Sequence, residues 1–290
     1  LRAIREVLGA EIATDAVIAA WAAAYQQLAD ILIGAERAVY EQTAAAEGGW
    51  RGARAFKLVQ KQAESAEITS FYLEPVDGGA VITHQPGQYI GLRAVVDGVE
   101  QRRNYSLSAA SNGKSYRISV KREAGGKVSN YLHDSVNVGD TLELFPPAGH
   151  FTLQSNAKPL VLISGGVGIT PTLPMLQAAL PTGREITFIH CARDRGVHAF
   201  REKIDALAAS HSQLTRRYCY DAAMAGDEVD AQGLLSTEQL GEWLPASRDA
   251  DVYFLGPRGF MRSVKQSLST LGVPDAQVHY EFFGPAEALA

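Results

Sequence analysis

Apolar positions keep three different periods along this chain of 290 residues. Up to about residue 45, Val17, Trp21, Ala24, Leu28, Ile31, Ala35 and Val39 recur at steps of three and four, which places them on one helical stripe. Thr14 or Asp15 suits the start of that helix, because a short polar side chain accepts a hydrogen bond from the unpaired N–H groups of the first turn. Two helices cannot bury both of their apolar faces alone, so further helices or a partner surface are needed. Glu47-Gly48-Gly49-Trp50 ends the pattern.

From 51 to about 153 the runs shorten. KLVQKQ, ITSFYLEP, QYIGLRAV, NYSLSAA, YRISVKRE and TLELFPP are separated by Gly, Pro, Asp and Asn, which predicts a closed antiparallel barrel. From about 158, apolar strands alternate with helices. LVLISGG, EITFIHCA, LTRRYCY, DVYFLG and QVHYEFF read as strands, with TPTLPMLQAAL, AFREKIDALAASH, TEQLGEWL and FMRSVKQSLSTLG as helices. That alternation predicts a doubly wound parallel sheet. The predicted fold class is therefore α/β plus β, divided into residues 1–46, 51–155 and 158–290.

Composition narrows the chemistry. Hydrophobic residues at 46% and charged residues at 20% support a packed core. A net charge of −5 argues against nucleic-acid binding by bulk charge. Every window of about 18 apolar residues carries a charge, so no membrane-crossing helix is expected. Cys191 and Cys219 form no CxxC, which argues against a disulfide scaffold or a thiolate metal site. The seven histidines are scattered and none precedes residue 50, so no metal cluster is expected. HExxH, GxSxG and GxxxxGK[ST] are absent. The chain opens on Leu1 in a helical pattern with no signal-peptide signature, which reads as a cytosolic fragment lacking an N-terminal part.

Four motifs carry candidate chemistry, each beside a plainer reading. Gly165-Gly166-Val167-Gly168-Ile169-Thr170-Pro171 joins an apolar strand to a helix, where a dinucleotide pyrophosphate can meet backbone N–H groups; it is also an ordinary tight turn. Pro171 suits a first helical turn. In Arg103-Asn104-Tyr105-Ser106, alternation puts Arg103 and Tyr105 on one face, as a phosphate clamp and stacking surface or as a solvated barrel strand. Gly125-Gly126-Lys127-Val128-Ser129-Asn130 opens a short helix that can take a second phosphate, or forms a hairpin turn. Glu281-Phe282-Phe283-Gly284-Pro285 ends a strand where ligands sit in doubly wound sheets, although two aromatics there are more often core.

Taken in order, barrel, RNYS, GGKVS, GVGITP and a terminal aromatic-Gly-Pro resemble the ferredoxin-NADP reductase superfamily. GGWRGARAFKLVQKQAESAEITSFYLEPVDGGAV, PGQYIGL, VKREAGGKVSNYLH, NVGD and HYEFFGP narrow the resemblance to the reductase half of bacterial flavohemoproteins. IAAWAAAYQQLADILIGAERAVYEQ resembles the last helix of that family's globin domain.

The resemblance implies a globin remnant over 1–46, an FAD-binding barrel over 51–155 and an NAD(P)-binding domain over 158–290. It implies that Tyr89, Arg103, Asn104, Tyr105 and Ser106 bind FAD, Tyr105 against the flavin and Arg103 on a phosphate. Gly126, Lys127, Val128 and Ser129 would hold the pyrophosphate, and Gly166, Val167, Gly168, Ile169, Thr170 and Pro171 would bind NAD(P)H. Phe282, Phe283, Gly284 and Pro285 would cover the isoalloxazine where nicotinamide enters, with Glu281 tuning the redox potential. Glu36 matches a glutamate that orients the proximal histidine of haem b through a Tyr–Glu–His relay. The implied activity of the family is nitric oxide dioxygenation, with NO and O2 converted to nitrate and electrons passing from NAD(P)H through FAD to haem. The haem iron ligand is not in this chain, which is expected to supply the reductase half as a cytoplasmic monomer without nucleic-acid partners or membrane insertion. Leu255 stands where the family often has cysteine. Arg193 meets a 2′-phosphate or is merely solvated, so NADH and NADPH both stay open. The alternatives are a stand-alone NAD(P)H–flavin reductase and a non-enzymatic nucleotide-binding scaffold; intact Arg103, Tyr105 and Ser106 argue against the scaffold.

Overall fold

The computed structural model describes residues 2–283, and its contacts divide the chain into two units, Leu1–Arg51 and Gly52–Ala290. In the first unit, α1 (Arg2–Ile12) kinks at Gly9, whose φ of +74° lies in the left-handed region. α2 (Asp15–Ala45) starts at Thr14, whose Oγ1 accepts a hydrogen bond from the Val17 N–H at 3.4 Å. No residue of α2 is buried, and Trp21, Leu28, Ile31 and Val39 are all more than half exposed. The predicted stripe thus forms, and the unit does not cover it. The expectation of no candidate membrane span needs one amendment. α2 is long and apolar enough to qualify by length and composition, a test that core helices of soluble proteins also pass, because Asp30 is the one charge between Val17 and Gly34.

The second unit opens with β1 (Arg54–Ala63), β2 (Ile68–Pro75), β3 (Tyr89–Val96), β4 (Val99–Ser106), β5 (Tyr116–Lys121), α3 (Lys127–Asp134) and β6 (Thr141–Leu144). These strands form one antiparallel sheet in the order β4-β3-β6-β1-β2-β5. Phe56, Leu58, Phe71, Leu73, Ile90, Leu92, Ile118 and Leu144 are its fully buried apolar side chains. The expected closed barrel is corrected: among the described residues, the backbone pairing between the segment after β4 and the edge strand β5 is limited to a bridge between Leu107 and Ile118 and the bond from Ser108 N–H to the Arg117 carbonyl. Beyond that point the edges diverge and leave a groove. β4 also begins earlier than NYSLSAA implied. Val96 pairs with Val99 across Asp97-Gly98, both with positive φ, as a two-residue hairpin of right-handed twist requires. The strand's first half is charged because it is an exposed edge.

The rest alternates as predicted: β7 (Leu160–Gly165), α4 (Ile169–Ala179), β8 (Ile186–Ala192), α5 (Arg201–Ser210), β9 (Leu214–Tyr220), β10 (Ala231–Gln232), α6 (Thr237–Trp243), β11 (Asp251–Leu255), α7 (Arg258–Thr270) and β12 (Val278–Tyr280). The sheet is parallel, in the order β10-β9-β8-β7-β11-β12. Apolar clusters cover both faces, one around Leu162, Leu173 and Phe188, the other around Ile163, Phe254 and Leu268. Strand order reverses between β7 and β11, so the turns at their carboxyl ends flank the crevice where such sheets take ligands.

Candidate functional site

A cavity of about 840 Å³ lies where the diverging edges of the antiparallel sheet face that crevice. β4 contributes Arg102 to Ser106, β5 contributes Ser119 to Lys121, and the start of α3 contributes Gly126 to Ser129. Tyr89, Glu123, Val167, Thr170, Glu281, Phe282 and Phe283 complete the wall. Because β4 is an edge strand, side chains from both of its faces reach the cavity, Asn104 and Ser106 as well as Arg103 and Tyr105.

Burial raises the Tyr105 hydroxyl to about 12, with the Arg103 charge opposing, so the ring presents a neutral stacking face. The exposed Arg103 guanidinium donates to the Arg102 carbonyl at 2.7 Å and more weakly to Gln101 Oε1 at 3.4 Å. Tyr89 is fixed by pairing with Ser106 and by its bridge to Ala148. A Cβ on Gly149 would stand 3.0 Å from the Tyr89 ring.

At the head of α3, the first backbone N–H groups have no acceptor within the helix and carry its partial positive charge. Gly126 caps that end, and a Cβ there would come within 2.5 Å of Ser129 Oγ. Ser129 Oγ in turn accepts from the Glu123 N–H and donates to the Gly126 carbonyl. The other end of the helix is held by Lys61, whose Nζ donates to the carbonyls of Leu132, His133 and Val136.

The glycine turn forms as a tight connection from β7 into α4, with Pro171 in the first helical turn. Of its expected ligand residues, Val167 and Thr170 line the cavity, whereas Gly168, Ile169 and Pro171 are buried in packing. Gly166 has φ of +52°, and a Cβ on Gly168 would strike the Leu255 carbonyl at 2.2 Å. Phe283 is 49% exposed, so the reading of both tail aromatics as core fails for it; Phe282 packs edge-on against Tyr280. Burial raises the Glu281 carboxyl, and His150 opposes the shift. Gly284 and Pro285 lie outside the described residues.

Glu36, in the helical unit, accepts a hydrogen bond from the Tyr40 hydroxyl at 2.6 Å, one turn along α2. The Arg193 guanidinium is mostly exposed and pairs with Glu67. Reasoning from sequence missed Ser119, Lys121 and Glu123 as wall residues. It also missed a second cavity of about 470 Å³, which shares Tyr89 and Glu281 with the first and is lined by His150, Tyr253 and His279. No spacing in the sequence signals that β5 lies across a groove from β4.

An aromatic, basic edge strand and a helix N-terminus facing a glycine turn at the switch point define a two-domain reductase that uses a flavin and a nicotinamide nucleotide. Residues 55–153 match the oxidoreductase FAD-binding domain family and residues 162–266 the oxidoreductase NAD-binding domain family. The flavohemoprotein of Pseudomonas aeruginosa is 66% identical over 289 residues, covering 100% of this chain and 74% of that protein. That of Bordetella pertussis is 48% identical over 98% of this chain and 73% of its own length. Among solved structures, the FAD/NAD-binding domain of nitric oxide dioxygenase from Vibrio cholerae superposes with a TM-score of 0.75 at 42% identity, covering 81% of this chain and 100% of that one. Flavohemoglobin from Malassezia yamatoensis, with FAD and haem bound, gives 0.82 at 28% identity, covering 97% and 72%. The chain belongs to the flavohemoprotein family. It carries that family's reductase half, an NAD(P)H-dependent oxidoreductase with FAD- and NAD-binding domains.

Proposed function

We propose that FAD binds along the groove between β4 and β5, and that NAD(P)H reaches it from the glycine turn after β7. One observation carries this reading: Arg103, Tyr105, Gly126 to Ser129, Thr170 and Phe282–Phe283, which come from distant parts of the chain, wall a single cavity. The fit is supported by the donor chemistry. Tyr89, Asn104, Tyr105 and Ser106 offer rings and hydrogen-bonding groups to the flavin. Arg103 would pair with a phosphate, and the N–H groups of Lys127, Val128 and Ser129 would hold the pyrophosphate beside Gly126, where a side chain has no room.

Gly166 to Pro171 serve the nicotinamide nucleotide from the other side. Val167 and Thr170 make the contact, while Gly168, Ile169 and Pro171 shape the backbone. Phe282 and Phe283 cover the cavity mouth and exclude water from the ring pair. Glu281, kept more protonated by burial, sets the charge beside it. A flavin bound there supplies hydride acceptance from NAD(P)H followed by single-electron release. The corresponding division of the chain is 1–46, 51–155 and 158–290.

For the family's whole reaction we propose nitric oxide dioxygenation, in which NO and O2 become nitrate in the cytoplasm. Residues 1–51 hold no histidine, so they offer haem iron no imidazole and no step is assigned to them. Glu36, already paired with Tyr40, is proposed as the carboxylate of the family's relay. The test is an absorption spectrum of the purified chain before and after anaerobic NADH. A flavin band at about 450 nm that bleaches, with ferricyanide reduced on its addition, supports the reductase reading. Protein without flavin that also fails to take it up removes the reading.

A further inference from the structure

The parallel sheet brings together two side chains that the reductase chemistry does not use. Cys191 on β8 and Cys219 on β9 are register partners in adjacent parallel strands. Such strands lie about 4.8 Å apart, inside the roughly 4.4–6.8 Å between Cα atoms that a disulfide spans. Both side chains point into one apolar cluster with Ile163, Leu240 and Phe254. Cys219 Sγ donates to the Gly233 carbonyl at 3.1 Å. The neighbouring Cys219, with burial second, pushes the Cys191 thiol up, and Cys191 in turn eases ionisation of Cys219. Both are free thiols, and Cys191 keeps 7% exposure at the carboxyl end of its strand, an opening for a small oxidant.

The pair is coupled to the glycine turn by register. Gly165 is the partner of Cys191 on the other side, so Gly165, Cys191 and Cys219 form one row across β7, β8 and β9. The turn that follows has no slack. A Cβ on Gly165 would stand 3.0 Å from the Phe260 ring, and the Gly168 backbone packs directly on the Leu255 carbonyl.

We propose that Cys191 and Cys219 form a reversible disulfide under hydroperoxide stress and that this bond weakens dinucleotide binding at Gly166–Pro171. The second half of the proposal rests on the assignment of that turn to NAD(P)H. In the first step the Cys219 sulfur attacks the terminal oxygen of the hydroperoxide and the O–O bond breaks. A sulfenic acid forms and the alcohol, or water from hydrogen peroxide, leaves with the thiol proton. The Cys191 sulfur then attacks the sulfenic sulfur, the S–O bond breaks and water departs with the second proton. Two thiols lose two electrons and the peroxide gains them. Closing the bond draws the sulfurs to about 2.05 Å, and because its preferred Cα separation of about 5.5–6 Å exceeds the strand spacing of about 4.8 Å, it pushes β8 away from β9 and toward β7. Gly165 on β7 must then give way, and the packed turn leaves it no room.

The test uses the 290-residue chain. It is treated with hydrogen peroxide, and intact mass and the NADH dissociation constant are read on the same sample before and after dithiothreitol. The expected result is a loss of two hydrogens per chain and a dissociation constant raised about fivefold or more, in the range of ordinary coupling between sites. Dithiothreitol reverses both, and Cys191→Ser and Cys219→Ser abolish both. If a serine variant does not fold, peptide mapping of oxidised wild-type protein identifies the bond instead. Unchanged mass, or a disulfide with unchanged NADH affinity, overturns the proposal. Reduced protein that binds no NADH overturns the assignment of the turn itself, which is a separate result.

Discussion

The two six-stranded sheets bury their strands differently, and the difference separates what holds the molecule together from what it binds with. β7, β8 and β11 are buried at every residue, because helices cover both faces of the parallel sheet. In the antiparallel sheet, β3 alternates buried positions with half-buried or exposed ones, and β4 buries only Ser106. The cavity follows β4 and touches the parallel sheet only at the glycine turn and the segment after β12. Substitutions within the parallel sheet should therefore cost stability. Those along the open edge should cost ligand affinity and leave the fold intact.

The sharpest contrast is predicted between Phe188→Ala and Val95→Ala. Phe188 is fully buried on β8, so its truncation removes transfer energy and leaves a cavity, a loss of about 3–5 kcal/mol. Val95 is 61% exposed on β3, and its truncation should stay within about 0.5 kcal/mol. Urea unfolding of both variants checks this; equal losses would erase the distinction between the sheets.

Next in size comes acid sensitivity centred on β8. His190 is fully buried, bonded to Ser164 Oγ at 2.8 Å, with its ring centroid 4.2 Å from that of His198. Burial lowers its pKa from 6.5 to about 3. Between those values the unfolded chain binds a proton that the fold does not. Stability is therefore full above pH 6.5 and falls as pH drops through the window, by on the order of 3 kcal/mol at about pH 4. His190→Asn should flatten that slope in melts recorded from pH 7 to pH 4. An unchanged slope would place the acid sensitivity elsewhere.

The same contrast explains what was legible in the sequence. LVLIS, EITFIHCA and DVYFL stand out because doubly buried strands read as near-continuous apolar runs. The first half of β4, Val99 to Arg102, does not stand out, since a solvated edge strand has no apolar period to read. Closure of the barrel was misjudged because six strands say nothing about whether the outer two pair. RNYS, GGKVS and GVGITP were legible through their order along the chain, which resembles one superfamily, since each alone reads equally well as an ordinary strand or turn. Which of their residues face a ligand was not. Gly168, for instance, is required by the Leu255 carbonyl of a strand far along the chain. Lys121 and Glu123 join the site only through the folding of β5 across the groove.

On the open edge, Arg103→Ala should weaken FAD binding by roughly 10–100-fold, the worth of a charge-assisted bond to phosphate, while apoprotein stability stays within about 0.5 kcal/mol. Flavin titration beside a urea melt reads both quantities, and a destabilised apoprotein would mean that this guanidinium holds the sheet. Gly168→Ala tests the point where the two regions meet. Its Cβ has no room, so a stability loss of about 1–3 kcal/mol should come together with weaker NADH binding. NADH affinity unchanged in a destabilised variant would detach the turn from the nucleotide.

The smallest effect expected is the most discriminating. Lys61 projects from β1 to the carboxyl end of α3, donating to three carbonyls at 3.1, 2.7 and 2.9 Å while its Nζ stands 5.5 Å from the Phe71 ring centroid. Burial lowers the lysine pKa, and the charge persists because two of those carbonyls, Leu132 and His133, belong to the unpaired end of a helix dipole. Lys61→Met keeps the apolar stem and removes the three donors, so unfolding should become easier by about 1 kcal/mol. The far end of α3 carries Gly126 to Ser129, and its N–H groups do not depend on this contact. FAD affinity should therefore fall by less than about threefold, well short of the loss in Arg103→Ala. If it falls as far, then α3 is aimed at the cavity by its anchored end, and binding at the open edge depends on the same contacts that stabilise the fold.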